Sequence, residues 1–191
     1  MKNVILIHGI NGVPKIFEWL KAELEKFGYQ VIMPSFPVQE GTVYEKWKRI
    51  MDEYRRFINE NSIIVCHSIG NEFIIKYLTQ NKIKIDTYIG LAGFAEIFYN
   101  EDKNVLNAAV ERFAVNQDEK RDFVALTGKR YAIYSDNDHI VPLEVLERYP
   151  KEVDAEPIFI PGIGHMGKRS GLEEMPELLG LVKENLYMMP W

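Results

Sequence analysis

The sequence predicts an α/β fold, a three-layer α/β/α sandwich doubly wound around a six-stranded, mostly parallel sheet. Three observations predict it. Six short apolar runs alternate with segments of helical period. Each run is nearly continuous in Val, Ile, Leu, Tyr or Phe, as a strand covered on both faces reads. Finally, 47% of the 191 residues are apolar and only 27% charged, which allows a real core and argues against disorder.

The first run, residues 4–7, closes in His8-Gly9-Ile10-Asn11-Gly12, a glycine-bearing strand-to-helix turn. Ile16, Trp19, Leu20, Leu24 and Phe27 then mark one helical face, and Gly28 stands where a helix end takes a positive φ. The second run is 30–34. Thr42-Val43-Tyr44-Glu45 has the form of a capping box, ahead of a stripe at Val43, Trp47, Ile50, Met51, Tyr54 and Phe57. The third run, 63–67, passes through Ser68-Ile69-Gly70 into a helix marked by Phe73, Ile74, Tyr77 and Leu78.

The fourth run is 87–91. Residues 93–128 are the one irregular stretch, expected to be a short rim or cap insertion with helices near 104–113 and 118–127. Runs at 131–135 and 157–160 complete the strands, and Leu178, Leu179, Val182 and Leu186 mark the last helix. With no repeat or linker in between, residues 1–191 read as one domain. The terminal Met188-Met189-Pro190-Trp191 is apolar and suited to docking on the body or on a second subunit.

The formal charge of −5, without a Lys/Arg cluster, argues against a nucleic-acid partner. Cys66 is the sole cysteine, so no internal disulfide forms and a reducing compartment is expected. The apolar start is too short for a secretory leader, and no run approaches the ~20 residues of a membrane span. The expectation is a cytoplasmic monomer or small homo-oligomer without a membrane partner. No cofactor or metal is expected. His139 lacks a metal-ligand spacing, and Gly9-x-x-Gly12 is neither a dinucleotide fingerprint nor a P-loop.

Of the serines at 35, 62, 68, 135 and 170, only Ser68 follows a strand, precedes a helix and has glycine two positions on. A plain helix cap is the simple alternative. The strand-turn-helix context instead describes a nucleophile elbow, with Oγ held above the sheet edge. Gly70 fits it because backbones approach closely there. Active groups of open α/β sheets collect beyond the carboxyl ends of the strands. After the fifth run come Asp136-Asn137-Asp138, and Asp138 is read as the acid, with Asp136 as turn chemistry. After the sixth comes Gly162-Ile163-Gly164-His165-Met166, with His165 as general base. The order Ser68, Asp138, His165 is nucleophile, acid, base. The backbone N–H groups of Ile10 and Ile69 are assigned to an oxyanion hole, His8 to shaping that loop, and His67 to supporting the turn.

These residues resemble the α/β-hydrolase superfamily, and more narrowly its small lidless branch typified by retinoblastoma-binding protein nine. The resemblance rests on His8-Gly9, Trp19-Leu20 with Leu24, Pro34-x-x-Pro37, His67-Ser68-x-Gly70, Asp138-x-x-x-Pro142, Gly164-His165-Met166 and Met175-Pro176-Glu177-Leu178. It implies a compact α/β-hydrolase fold with the spatial strand order second, first, third, fourth, fifth, sixth. It also implies a serine hydrolase of small esters or peptides, with the same Ser68, Asp138 and His165. The elbow departs from Gly-x-Ser-x-Gly in having Cys66 at its first position.

The reaction expected is acyl transfer on small carboxylic esters or related acyl substrates, through a covalent acyl-enzyme; peptidase and thioesterase activities remain open. Phe94, Phe98 and Met166 are expected as apolar walls of the acyl pocket. The alternative is a non-catalytic protein-binding module on the same scaffold.

Overall fold

In the computed structural model, which describes residues 2–100 and 104–187, all six apolar runs become strands. They are β1 (Asn3–Ile7), β2 (Gln30–Ile32), β3 (Ile63–His67), β4 (Ile85–Leu91), β5 (Thr127–Tyr134) and β6 (Glu156–Phe159). All pairings are parallel, in the order β2-β1-β3-β4-β5-β6. This is the order the resemblance implied. Every residue of β1 and β3 is buried, as their unbroken apolar runs require.

The outer strands depart from that pattern. β6 has a single neighbour, and Glu156, Pro157 and Phe159 are exposed, Phe159 by 51%. Its apolar run therefore does not mark burial on both faces. β5 begins at Thr127, before the run at 131–135, because Thr127-Gly128-Lys129-Arg130 is a polar, partly exposed half-strand. Gly128 is required there, since a Cβ would stand 2.4 Å from the Asp86 carbonyl oxygen.

Helices α1 (Lys15–Lys26) and α7 (Pro176–Tyr187) pack together in one layer. The other layer holds α2 (Tyr44–Tyr54), α3 (Gly70–Asn81), α4 (Asn104–Phe113), α5 (Gln117–Leu126) and α6 (Leu143–Glu152). Its core is aromatic. Trp47 stacks on Phe36 at 4.5 Å and meets Phe73 edge-on at 5.3 Å, while Phe113 closes on both Trp47 and Phe73.

Gly28 ends α1 at φ +80°, as expected. The capping box at Thr42 does not form. Val43 is the N-cap of α2 without a side-chain bond, because Thr42 closes a preceding 3-10 turn at Gln39–Gly41 and leaves its buried Oγ1 unpartnered. A capping box stands instead at α5: Asn116 Oδ1 accepts from the Glu119 N–H, and Glu119 Oε2 from the Asn116 N–H, both at 2.9 Å. The terminal Met188-Met189-Pro190-Trp191 lies outside the described residues.

Candidate active site

β3 ends at His67 and α3 starts at Gly70, so the chain reverses within two residues. Ser68 absorbs the turn with φ +54°, a left-handed conformation that costs a non-glycine residue roughly 1–2 kcal/mol. Its N–H donates to the Leu91 oxygen at 2.9 Å, and the Asn71 side chain donates to the Ser68 and Leu91 oxygens at 2.7 and 3.2 Å. These bonds hold the strained residue in place. A Cβ at Gly70 would lie 2.8 Å from the His8 oxygen and 2.9 Å from that of Ile7, which is the close approach the sequence anticipates.

Cys66 is buried, and burial pushes its thiol well up, so it is an unreactive packing residue. Its register partner on β4 is Gly90. A side chain at Gly90 would collide with Tyr88 Oη and Asn71 Oδ1, at 2.5 and 2.7 Å. Glycine on β4 thus makes room for the Tyr88 hydroxyl and the Asn71 amide behind the elbow.

Ser68, Asp138 and His165 come together. His165 Nε2 lies 3.1 Å from Ser68 Oγ, and its Nδ1 lies 2.7 Å from Asp138 Oδ2. Asp138 Oδ1 accepts from the N–H groups of Ile140 and Val141 at 2.8 and 3.0 Å. Burial alone would raise the Asp138 carboxyl; the His165 ring and the two N–H donors outweigh it and hold its pKa below the ordinary value.

The acid and base loops are also tied to each other. Asn137 Oδ1 accepts from the Gly164 N–H at 2.7 Å, Asp136 Oδ1 from Gly162 at 2.8 Å, and Ser135 Oγ from Ile163 at 3.1 Å. Ser135 in turn donates to Asn137 Oδ1 at 2.9 Å. The sequence marks Asp136 as turn chemistry and assigns Ser135 and Asn137 no role. The only signal was their polar type in the loop that carries Asp138.

His8 donates from Nδ1 to the Gly9 oxygen at 2.7 Å and accepts the Phe36 N–H on Nε2 at 3.0 Å, so its tautomer is set. Burial lowers its pKa. It braces the turn that carries Ile10. Among the described residues the N–H groups of Ile10 and Ile69 have no protein acceptor. Ile69 is the N-cap of α3, at the positive end of the helix dipole.

A cavity of about 350 Å³ opens beside His165. Ile10, Val105, Leu106 and Ile140 give it an apolar lining, and Asn11, Gln39 and Asn104 add amides. The three residues expected as its walls do not line it. Phe94 and Phe98 pack edge-to-face at 4.9 Å inside the core, 0% and 6% exposed. Met166 is 0% exposed, turned inward at φ +53°. The start of α4 takes their place. Among the described residues no three His, Cys, Asp or Glu side chains are grouped to hold a metal ion, and no helix is long and apolar enough to cross a membrane.

The family model described as serine hydrolase matches residues 4–184, nearly the whole chain and the elbow, acid and base loops within it. This chain belongs to the serine hydrolase family. The hydrolase is 24% identical over 179 residues to a Bacillus subtilis protein described as a hydrolase, YdeN, covering 92% of this chain and 91% of that protein. The solved structure of that gene product superposes with a TM-score of 0.84 at 23% identity, over 97% of this hydrolase and 98% of the other chain. A carboxylesterase structure from Nitrososphaera gargenis gives a TM-score of 0.73 at 16% identity, over 96% and 90% of the two chains. These superpositions establish the α/β-hydrolase fold for the serine hydrolase described here.

Proposed function

We propose that this serine hydrolase cleaves small carboxylic esters or related acyl substrates through a covalent acyl-enzyme on Ser68, with His165 as general base and Asp138 as its orienting acid. The observation that carries the reading is the continuous line from Asp138 Oδ2 through both His165 nitrogens to Ser68 Oγ, with steps of 2.7 and 3.1 Å. The carboxylesterase among the structural relatives favours an ester as the scissile group.

In the first step Ser68 Oγ attacks the acyl carbon while its proton passes to His165 Nε2. Asp138 keeps the proton on Nδ1 and stabilises the imidazolium. The carbonyl oxygen, now negative, is received by the Ile10 and Ile69 N–H groups, and a donor of that kind contributes roughly 3–4 kcal/mol. His165 returns the proton to the leaving alcohol. Water, deprotonated by the same ring, then releases the acid and restores Ser68. On this reading the protein acts as one domain on a small molecule in a reducing compartment.

The test is a fluorophosphonate probe, read alongside hydrolysis of p-nitrophenyl esters. Labelling that is present in the native protein and absent in Ser68→Ala supports the enzyme. Folded native protein that neither labels nor turns over ester would instead favour a binding module on a hydrolase scaffold.

A further inference from the structure

The cavity beside His165 is charged in one sense only. Lys168 and Arg169, three and four residues past His165, both line it, as does Ser170. No Asp or Glu is among the described residues that line it. This runs against the molecule as a whole, whose formal charge is −5. Lys168 and Arg169 have no carboxylate partner among the described residues.

The amides add donors and acceptors alike: Gln39 Nε2 donates to Asn11 Oδ1 at 2.5 Å, which leaves the Asn11 NH₂ group and the Gln39 Oε1 available. Ile10, Leu106 and Ile140 give the same cavity an apolar lining. A cavity of this size holds a chain of several carbons.

We propose that Lys168 and Arg169 form an anion subsite, and that the preferred acyl group is a short aliphatic chain ending in a carboxylate, as in a half-ester of a dicarboxylic acid. The subsite itself stands on the cavity alone; its use in turnover rests on the acyl-transfer reading above. The apolar lining takes the methylenes, and the two cations take the terminal carboxylate, with an arginine fork matched to it in geometry. Both cations are exposed, so the attraction acts largely on capture and weakens with salt.

The test compares the p-nitrophenyl half-ester of glutarate with p-nitrophenyl butyrate, in the native protein and in Lys168→Glu/Arg169→Glu. We expect the half-ester to be favoured roughly tenfold in kcat/KM at low salt, and the preference to shrink at 0.5 M NaCl and reverse in the double variant. A native preference for the neutral ester, or a ratio unmoved by charge reversal, overturns the proposal while leaving the hydrolase reading intact. Calorimetric titration with glutarate and with inorganic phosphate reads the subsite without turnover. Glutarate binding that the double variant loses upholds the subsite even if Ser68 fails to label with fluorophosphonate, in which case the acyl-transfer reading alone falls. Tighter binding of inorganic phosphate than of glutarate overturns the carboxylate assignment, and binding of neither overturns the subsite.

Discussion

His67 hydrogen-bonds through Nε2 to the main-chain oxygen of His165, 2.8 Å away and 98 positions along the chain. A carbonyl only accepts, so Nε2 carries the proton and Nδ1 is bare; that nitrogen is buried without a partner. The two rings stand 4.9 Å apart, edge to face. The residue before the elbow serine therefore holds the backbone of the histidine that faces the serine.

This contact has a pH signature. Burial, and then the neighbouring His165, push His67 down to about 3 from an ordinary 6.5. Between those values the unfolded chain binds a proton that the folded one refuses, so stability falls as pH is lowered from 6.5 toward 3. We expect this group to cost roughly 3 kcal/mol of unfolding free energy between pH 6.5 and 4. Urea titrations across that range check it, with His67→Gln giving the shallower decline.

Asp138 gives the complementary acid limb. Its folded pKa lies below the ordinary 3.8, so its stabilisation is complete above that value and is lost as pH falls through the lower folded one. Asp138→Asn is expected to lower kcat by about 10⁴-fold at pH 7, by spoiling the His165 tautomer. The stability gap between variant and native protein should close below about pH 4. Ester kinetics at neutral pH and unfolding curves at pH 7 and 3 measure the two effects.

Ser135→Ala and Asn137→Ala remove side chains that accept from the loop carrying His165. Each is expected to reduce kcat by roughly 10- to 100-fold, the scale of a small misplacement of a reacting group, with less effect on KM. Steady-state kinetics of both variants, with melting curves to confirm folding, test this.

Two glycines with different reasons should respond differently. Gly28 has φ +80° and open space around it, so Gly28→Ala should cost about 1 kcal/mol of stability and leave activity alone. Gly70→Ala drives a Cβ into two backbone oxygens beside Ser68, and should cost roughly 1–3 kcal/mol and most of the activity. Denaturation and ester hydrolysis separate the two.

The centre of the fold was readable because burial on both faces leaves unbroken apolar runs such as Ile63–His67. Strand order came through the resemblance. The meeting of Ser68, Asp138 and His165 was readable because each follows a strand end in an open parallel sheet. The periphery was not. Phe159 is as apolar as any core residue, yet sits on an edge strand with one neighbour. Thr42-x-x-Glu45 carries the same local pattern as Asn116-x-x-Glu119, and the 3-10 turn at Gln39–Gly41 decides between them. Phe94 and Phe98 could not be told from cavity residues by type, because core and pocket select the same side chains. The latch of Ser135 and Asn137 is made by short polar side chains onto main-chain N–H groups, an arrangement that leaves little trace in residue type.

Because the segment after β5 grips the one after β6, neither is an interchangeable part. Transplanting only one of them from a relative would import half of a matched fastening. In chimaeras within this family, residues 135–138 and 162–165 should travel as a single cassette, together with the His67 whose ring holds the His165 carbonyl.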